Sequence, residues 1–462
     1  MPPRRIRAPA RPVNIELDGR TIVADADASI ASALVGAGEL LLARSPKFHR
    51  PRGPSCMRGG CDGCLMRVDG VPNVMTCQCT PREGAVVEQQ NVTLSAKVDL
   101  LRATDWFFSK GMNHHEMFAG IPGAQHVMLA FARRISGLGE LPDAASPPRP
   151  EGVPTIETDV LVVGGGAAGL ATAVALRGRG ARVVLCDDRH ALGGALLAFP
   201  RGARVAAADA QGAARGGSVG DVEVDALLAR SLEEVERAGV DVRLEATVIG
   251  VLEGDDWLFV HPRDGLVRVR ARAHVVATGG HDPTPLFEGN DLPGVMSARA
   301  AGRLLRDGVL CGERIVVDGD GPHARAFALA ARAEGAEVEV LERASVHSVS
   351  GLSRVRSVTV HDESGRATRR HCDALVFDGP VAPTFELAVQ AGAATRHERF
   401  GYVVLADERG RVLPDPNPRD ARPSPALFAI GEVAGAALDP TAFAARADAL
   451  SAAVLEVVGV ES

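Results

Sequence analysis

The chain has 462 residues, of which 46% are hydrophobic and 24% are charged, and its formal net charge at pH 7 is −7. This length predicts about three domains, and the negative charge argues against nucleic acid and anionic membrane surfaces as partners. No apolar run approaches the ~20 residues of a membrane span, and five of the eight cysteines crowd between Cys56 and Cys79, which predicts a cytoplasmic protein without a disulfide framework.

The first predicted elements follow a basic, proline-rich stretch, residues 1–11, which is predicted to be a disordered tail. Residues 13–30 alternate in polarity as two strands joined at Asp18-Gly19, a dipeptide typical of tight hairpins. Residues 29–42 then favour a helix. These elements predict a small α/β domain at the start of the chain.

A cysteine-rich loop follows the predicted helix. Cys56, Cys61 and Cys64 have C-x4-C-x2-C spacing, and Cys77 follows after twelve further residues. This is the plant-type [2Fe–2S] spacing, in which three thiolates from one tight loop and a fourth from across a hairpin converge on two irons. Four cysteines also suit tetrahedral zinc, although zinc sites usually use two closely spaced pairs. Cys79 is left over, either as a bystander or as a substitute fourth ligand.

The next motif begins with an apolar run, Val160 to Val163, that is typical of a buried parallel strand. Three glycines follow in G-x-G-x-x-G spacing and lead into an alanine-rich helix. In this fingerprint the glycines permit a tight turn, close approach of the backbone to a pyrophosphate, and packing of helix on strand. The free N–H groups of the first helical turn would face the phosphates. The predicted FAD-binding residues of this motif are Gly164, Gly166, Ala167, Ala168 and Gly169.

Further FAD-binding positions are predicted downstream. Asp187 ends the next buried strand, near the usual ~20-residue offset for a carboxylate that binds a ribose hydroxyl, and Asp188 follows it. A glycine pair would then pass close to the diphosphate or the isoalloxazine. By pattern alone the later Thr-Gly is only a strand and a turn, but it resembles the motif that flavoproteins with two dinucleotide-binding domains place beside the FAD. The Gly-Glu pair resembles the closing motif of that fold, whose carboxylate accepts from the ribityl chain. These residues are Gly193, Gly194, Thr278, Gly279, Gly431 and Glu432.

A second glycine motif, within residues 314–342, repeats the strand–glycine–helix–strand pattern of the first but matches it less closely. Its predicted residues are Gly319, Gly321, Ala324 and Glu342, with alanine at the third glycine position. A carboxylate at position 342 would favour NAD over NADP, because a 2′-phosphate would meet a negative charge. Asp320 and His323 sit where a phosphate would approach, so the pattern leaves open whether NAD, another adenine nucleotide or no ligand binds here.

The segments RSPKFHRPRG, VDGVPNVMTC and TPREGAVVEQQN around the cysteine loop resemble the iron–sulfur module of sarcosine-oxidase-type α subunits. That family includes flavin- and iron–sulfur-containing dehydrogenases of amino acids and opines, and hydrogen cyanide synthase. The resemblance covers nearly the whole chain, except that the longest members carry an aminomethyltransferase region after the flavin domain, which this sequence lacks. It implies a β-type flavoprotein partner, small additional subunits, and FMN shared with the partner.

The predicted fold class is α/β, with an N-terminal ferredoxin-like [2Fe–2S] module followed by a flavoprotein of two Rossmann-like dinucleotide-binding domains. A helical connector and proline-rich linker would join the two parts. The predicted boundaries are 1–11 for the tail, 12–92 for the [2Fe–2S] domain, 93–154 for the connector, 155–290 and 381–462 for the FAD domain, and 291–380 for the NAD-like domain.

Three functions are consistent with these motifs. Residues 155–462 contain no Cys-x-x-Cys, which argues against a thioredoxin-reductase type of disulfide chemistry, and no acid–base constellation stands out. The resemblance favours an oxidoreductase subunit that acts on CH–NH or CH–NH2 donors and relays electrons from the partner. The alternatives are a self-contained NADH-dependent flavin/iron–sulfur reductase and a non-catalytic redox scaffold.

Overall fold

The computed structural model describes most of the chain outside the predicted connector. The described residues are 2–45, 49–90, 92, 121, 123, 126–127, 152–206, 221–252, 256–341, 344–416, 426–436 and 442–460. Glu342 and nearly all of the connector predicted over residues 93–154 lie outside these ranges. None of the helices in the described ranges combines the length and the apolar character that a membrane span needs.

The chain forms two compact units, each assembled from two stretches of sequence. The first unit consists of Met1–Pro147 and Thr284–Asp378, and the second consists of Pro148–Pro283 and Gly379–Ser462. Along the sequence, the two stretches of each unit are thus separated from each other by one stretch of the other unit.

In the first unit, a mixed five-stranded sheet forms around the cysteine loop. In spatial order its strands are Arg20–Asp25, Pro12–Leu17, Ala85–Glu88, Leu65–Val68 and Val71–Met75. The predicted hairpin at Asp18-Gly19 is present, with Leu17 paired to Arg20. The helix Ile30–Gly36 begins where the Ser29 hydroxyl accepts a hydrogen bond from the Ser32 N–H at 3.1 Å.

The N-terminal residues differ from the prediction of a disordered tail. Arg4–Arg5 form a short strand that pairs antiparallel with Val309–Leu310. The partner strand lies some 300 residues away in sequence, so no local pattern could indicate this pairing. The predicted helix over residues 29–42 is also shorter than expected, because it ends at Gly36 and the chain continues to the short strand Ala43–Arg44.

A second sheet of the first unit is a four-stranded parallel sheet. Its strands, in spatial order, are Val295–Ser297, Ala374–Phe377, Arg314–Asp318 and Glu337–Leu341. Helices Ala298–Arg306 and Pro322–Ala333 connect or follow these strands. An antiparallel three-stranded sheet completes this part, with strands Ala344–Ser350, Ser357–Asp362 and Ala367–His371. The remaining short strand, Pro51–Arg52, pairs with Ala43–Arg44.

The five-stranded and the four-stranded sheets of the first unit share one hydrophobic core. Leu34 of the N-terminal helix and Met66 of the five-stranded sheet belong to the same buried cluster as Leu304 and Phe327. Polar contacts join the same parts, since the Ser32 hydroxyl donates to the Asp307 carboxylate at 2.6 Å. Among the described residues, the five-stranded sheet around the cysteine loop therefore has no core separate from that of the four-stranded parallel sheet.

The second unit is built on a seven-stranded, largely parallel sheet. Its strands are, in order, Asp241–Arg243, Val183–Cys186, Thr155–Val163, Gly265–Val276, Asp256–His261 and Thr247–Val251, with Leu427–Ala429 also paired to Gly265–Val276. Its helices are Ala167–Gly178, Val224–Ala238, Glu386–Gln390 and Phe443–Val458, with 3-10 turns at Gly194–Ala198 and Glu432–Ala434. Short two-stranded pairs are Arg204–Ala206 with Asp221–Glu223, Gly280–His281 with Ala382–Pro383, and Thr395–Glu398 with Gly401–Val404.

The central strand Thr155–Val163 is buried on both faces. Val160 and Val162 belong to one apolar cluster, while Leu161 and Val163 belong to another on the opposite face. This explains the unbroken apolar run in the sequence, because a parallel strand covered on both sides needs no polar alternation. The carboxyl end of this strand is therefore held rigidly at the glycine motif.

A histidine lies inside the second of these clusters. His274 is 1% exposed, and its ring stacks on Trp257 with centroids 4.7 Å apart and planes 13° apart. Among the described residues, neither ring nitrogen of His274 has a hydrogen-bond partner. Burial lowers the pKa of His274 to about 4, because the charged imidazolium would lose its hydration. The structure thus holds this histidine in its neutral form.

This buried histidine should make stability depend on pH. Because its pKa is lower in the folded protein than the ~6.5 of the unfolded chain, the unfolded state binds more protons below that pH and stability falls. Between pH 7 and pH 5 the loss should be about 2 kcal/mol. In His274→Leu, urea unfolding of the second unit should lose this pH dependence. In His397→Leu, which replaces an exposed histidine, the wild-type dependence should remain, and a similar loss in both variants would contradict the assignment.

Candidate functional site

The cysteine loop brings four thiols together as two pairs. Cys56 shares a hydrogen bond with Cys61, and Cys64 shares one with Cys77. Cys64 is fully buried, and Cys56 and Cys77 are nearly so. No three His, Cys, Asp or Glu side chains in the described ranges converge as a group that could hold one metal ion. Two pairs fit the two irons of a [2Fe–2S] cluster, each with two thiolates, better than one tetrahedral zinc.

The loop is curled tightly by its glycines. A Cβ on Gly63 would overlap the carbonyl oxygen of Gly53, so these two backbones can touch only without a side chain. The Gly60 N–H donates to the Cys56 sulfur at 3.3 Å, as expected for amides that stabilise negative sulfur. The Thr76 hydroxyl donates to the Cys64 carbonyl at 2.8 Å and ties the fourth cysteine's strand end to the loop.

The hydrogen bonds between thiols divide each pair into a donor and an acceptor. The hydrogen bond with Cys56 lowers the pKa of Cys61 to about 6, and the hydrogen bond with Cys77 likewise lowers the pKa of Cys64. The same bonds, together with burial, raise the pKa of Cys56 and Cys77. Cys61 and Cys64 are therefore the more acidic thiols of the two pairs, and a thiol must lose its proton to bind metal.

In the second unit, the first glycine motif has the geometry that its spacing predicts. Gly164 has φ +109°, a left-handed backbone, and a Cβ there would overlap the carbonyl oxygen of Ala277. A Cβ on Gly169 would overlap the Gly164 carbonyl oxygen. These two glycines therefore have reasons internal to the protein, namely the turn and the packing of helix on strand.

Gly166 is different, because its open side faces no nearby protein atom. A Cβ on Gly166 would meet only the Cα of Gly194, at 3.9 Å, among the described atoms. The Gly193 N–H donates to the Gly165 carbonyl at 2.8 Å, so the two glycine turns lie side by side. The N-cap residue of the helix that begins at Ala167 is Gly166, which has no side chain to cap the helix. The result is a glycine cradle at a helix N-terminus whose first N–H groups have no partner within the helix, which fits a pyrophosphate.

Asp187 braces this cradle. Its carboxylate accepts hydrogen bonds from the Gly165 N–H at 2.6 Å and from the Arg189 N–H at 2.9 Å. Burial and then the charge of Asp188 raise the pKa of Asp187 to about 6, while Asp188 itself is exposed. Asp187 therefore holds the glycine turn in shape in addition to the predicted ribose role. Gly165 was missed at the sequence level, although the run of three glycines was a signal.

The remaining FAD motifs converge on the same place. A Cβ on Gly279 would lie 3.4 Å from a carboxylate oxygen of Glu432, and a Cβ on Gly431 would lie 3.2 Å from the Ala168 Cβ. The Thr278 hydroxyl donates to the Thr384 carbonyl at 2.8 Å. The three sequence motifs thus meet around one helix N-terminus, and Thr384 joins them without any sequence signal.

The second glycine motif has a similar backbone, but an aspartate side chain fills the space that is open beside Gly166 in the first motif. Gly319 has φ +116°, and its Cβ would lie 2.6 Å from the Asp378 carbonyl oxygen. A Cβ on Gly321 would overlap the Asp378 carboxylate, which also accepts a hydrogen bond from the Ala324 N–H at 3.2 Å. Asp378 was not singled out by the sequence pattern. The fourth predicted residue of this motif, Glu342, lies outside the described ranges.

Two protein-family models match the chain. Residues 10–92 match a 2Fe-2S iron-sulfur cluster binding domain, and residues 158–449 match the pyridine nucleotide-disulphide oxidoreductase family. These matches confirm the predicted fold class, a [2Fe–2S] domain followed by a Rossmann-like flavoprotein, and the predicted cofactors FAD and [2Fe–2S]. They also favour the iron–sulfur cluster over zinc at the cysteine loop.

Known proteins are similar over different shares of the chain. The α subunit of sarcosine oxidase from Rhizobium meliloti (strain 1021) is 27% identical over an alignment that covers 82% of this chain and 41% of that protein. Hydrogen cyanide synthase subunit HcnB from Pseudomonas aeruginosa is 30% identical over 170 residues, 35% of this chain and 33% of that protein. The chain spans less than half the length of the curated relatives it matches. The predicted resemblance to sarcosine-oxidase-type α subunits is confirmed.

A solved structure resembles the whole chain. The crystal structure of L-proline dehydrogenase from P. horikoshii superposes with a TM-score of 0.71 at 21% identity, covering 100% of this chain and 77% of that one. At this identity the likeness concerns the fold alone.

The cluster ligands can be tested by single substitutions. The purified protein should contain the two irons and two labile sulfides of a [2Fe–2S] cluster. Cys64→Ser should lose both and the visible colour while retaining FAD, because the fully buried Cys64 thiol is one of the four proposed ligands. Cys79→Ser is the matched control and should keep the cluster. Stoichiometric zinc without labile sulfide in the wild-type protein would overturn the assignment.

The flavin cradle can be tested at its open glycine. Gly166→Val should abolish FAD binding, because the side chain would fill the space that a pyrophosphate needs. Gly178→Val lies in the same helix at a position where a Cβ meets no atom within 4 Å, so it should retain FAD. The measurement is bound flavin per chain after gel filtration, and normal FAD content in Gly166→Val would show that the site lies elsewhere.

Proposed function

Because the chain belongs to the pyridine nucleotide-disulphide oxidoreductase family and also carries a 2Fe–2S domain, we propose that it is the FAD- and [2Fe–2S]-containing α-like subunit of a multi-subunit amine or amino-acid dehydrogenase or oxidase. The proposed donors carry CH–NH or CH–NH2 groups, with sarcosine and L-proline as first candidates from the names of similar proteins. The proposed location is the cytoplasm.

The observation that carries this proposal is the pairing of two redox-cofactor sites in one chain. A cradle of glycines with open N–H groups lies at one helix N-terminus, and a buried loop holds four paired thiols. The other described cysteines offer no second redox pair near the flavin motifs, since Cys186, Cys311 and Cys372 are all free and buried. This favours electron traffic between flavin and cluster over disulfide chemistry.

The chain's residues would divide the work of holding the cofactors. When bound, FAD accepts two electrons and the cluster carries one at a time. The N–H groups at the start of the helix Ala167–Gly178 would bind the pyrophosphate, Asp187 would accept from a ribose hydroxyl, and Glu432 would accept from the ribityl chain. The Gly60 N–H would stabilise the negative charge on the Cys56 sulfur.

Substrate oxidation is assigned to a partner subunit. A C–N bond is oxidised once the nitrogen has lost a proton, which needs a polar pocket with a base within about 3 Å. Residues 155–462 contain no recognisable acid–base constellation in the sequence, and the His274 ring is enclosed against Trp257. Two similar proteins are named as subunits, the α subunit of sarcosine oxidase and hydrogen cyanide synthase subunit HcnB. We therefore assign the substrate site to a β-type flavoprotein, with FMN shared between the subunits and small additional subunits completing the assembly.

The kinetics of the isolated chain test this division of labour. With FAD and cluster loaded, its flavin should not be bleached by sarcosine, L-proline or opines, because the base for their oxidation is assigned to the partner. NADH donates hydride without such a base, but it should bleach the flavin only slowly, because the Asp378 carboxylate fills the space beside Gly321 in the second glycine motif. Coexpressed with its β-type partner, the same chain should have flavin and cluster reduced by one such substrate within the turnover time.

Three results would contradict the proposal. Rapid stoichiometric reduction of the isolated chain by an amine would place the substrate site in this chain. Rapid reduction by NADH would favour a self-contained reductase, and absence of any reduction in the coexpressed complex would favour a redox scaffold without catalytic turnover.

A further inference from the structure

The chain has two dinucleotide-type folds, the first around the glycine turn that begins at Gly164 and the second around the turn that begins at Gly319. Their residues can be compared position by position. In the first, the strand Gly265–Val276 ends beside the glycine turn, and the next residue, Ala277, places its carbonyl oxygen against Gly164. In the second, the strand Ala374–Phe377 ends in the same way, and the next residue, Asp378, places its carbonyl oxygen against Gly319. Ala277 and Asp378 are therefore structural equivalents.

Their side chains differ in a way that matters for anions. The Ala277 methyl lies 3.4 Å from where a Cβ of Gly169 would be, and it leaves the cradle at Gly166 open. The Asp378 carboxylate instead fills the space beside Gly321, the equivalent of Gly166. It also accepts the hydrogen bond of the Ala324 N–H at 3.2 Å. A carboxylate of the chain thus lies where the first fold has room for a phosphate.

The helix itself has fewer donors left to offer. Pro322 is its first residue and has no N–H, and the Ala324 N–H is already used by Asp378. In the first fold, by contrast, the equivalent residues Ala167 and Gly169 both carry N–H groups. A pyrophosphate in the second fold would meet a negative charge together with a depleted set of donors.

We propose that Asp378 is a built-in anion that replaces the nucleotide phosphate in the second dinucleotide fold, so that this fold excludes NAD and other adenine nucleotides. Asp378 is thus a specificity-determining residue that keeps nicotinamide out of the electron path. The fold retains a structural purpose, because its helices share their core with the iron–sulfur domain. This assignment goes beyond the proposed function and holds whichever amine is oxidised.

The test uses the full chain loaded with FAD and cluster, so that only the second fold remains available. Calorimetric titrations with ADP and with NAD+ measure nucleotide binding, and thermal unfolding with and without inorganic pyrophosphate measures anion binding. Asp378→Ala reproduces the first fold's alanine. Glu334→Ala is the matched control, because it removes one exposed negative charge at the other end of the same helix.

Wild-type protein and Glu334→Ala should bind neither nucleotide and should gain no stability from pyrophosphate. Asp378→Ala should unfold at a lower temperature, because the Ala324 N–H loses its acceptor, and pyrophosphate should restore part of the loss. ADP should bind Asp378→Ala at least about ten-fold more tightly than the weakest affinity the titration can detect, a limit below which wild type should stay. Asp378→Asn keeps an acceptor without the charge, so it should retain most of the thermal stability and carries the ADP comparison if the alanine variant does not fold.

Stoichiometric binding of ADP or NAD+ to the wild-type protein in addition to its FAD would overturn the proposal. So would nucleotide affinities of Asp378→Ala and Asp378→Asn no tighter than that of wild type. Iron and flavin contents, measured on the same samples, report separately on the proposed function. A protein that loads both cofactors yet binds NAD+ would refute the role of Asp378 while leaving the subunit assignment intact.

Discussion

The first N–H groups of a helix have no hydrogen-bond partner within the helix, and they lie at the positive end of the helix dipole. They therefore need a hydrogen-bond acceptor from elsewhere. Both dinucleotide folds of this chain create that situation by running a buried parallel strand into a glycine turn and then into a helix. In the first fold the N-cap residue of the helix beginning at Ala167 is a glycine, and the open space at Gly166 leaves room for a cofactor to supply the acceptor. In the second fold the Asp378 carboxylate is the acceptor. The same constraint therefore yields a ligand site in one half and a closed structural joint in the other.

Much of the site was predictable, because its strongest signals are local in sequence. The spacing of Cys56, Cys61 and Cys64 indicates a cluster loop, and the spacing of Gly164, Gly166 and Gly169 indicates a turn that packs a helix against a strand. Each of these patterns is set by the geometry of a few consecutive residues. Within each of these two groups, the structure brings the residues together as their spacing suggests.

The features that were not predictable depend on contacts between distant residues. Asp378 lies 54 residues from the N–H that it accepts from, and nothing in the sequence around it resembles a cap. The strand Arg4–Arg5 finds its partner only in the folded unit, so a basic, proline-rich stretch was read as a tail. Asp187 was expected to bind ribose, whereas its hydrogen bond to Gly165 depends on how closely the strand end approaches the turn. A sequence pattern gives residue types and their spacing, but it does not indicate which side chain fills which space in the folded chain.

The shared core of the first unit has a consequence during synthesis. The cysteine loop belongs to a cluster that includes Met296, Leu304 and Val376, so its surroundings are complete only when the chain has been made through that region. Roughly 300 residues separate Cys77 from Asp378, and at about 5–20 residues per second the ribosome needs about 15–60 s to add them. For that interval the loop has been synthesised without the residues that bury it in the folded chain.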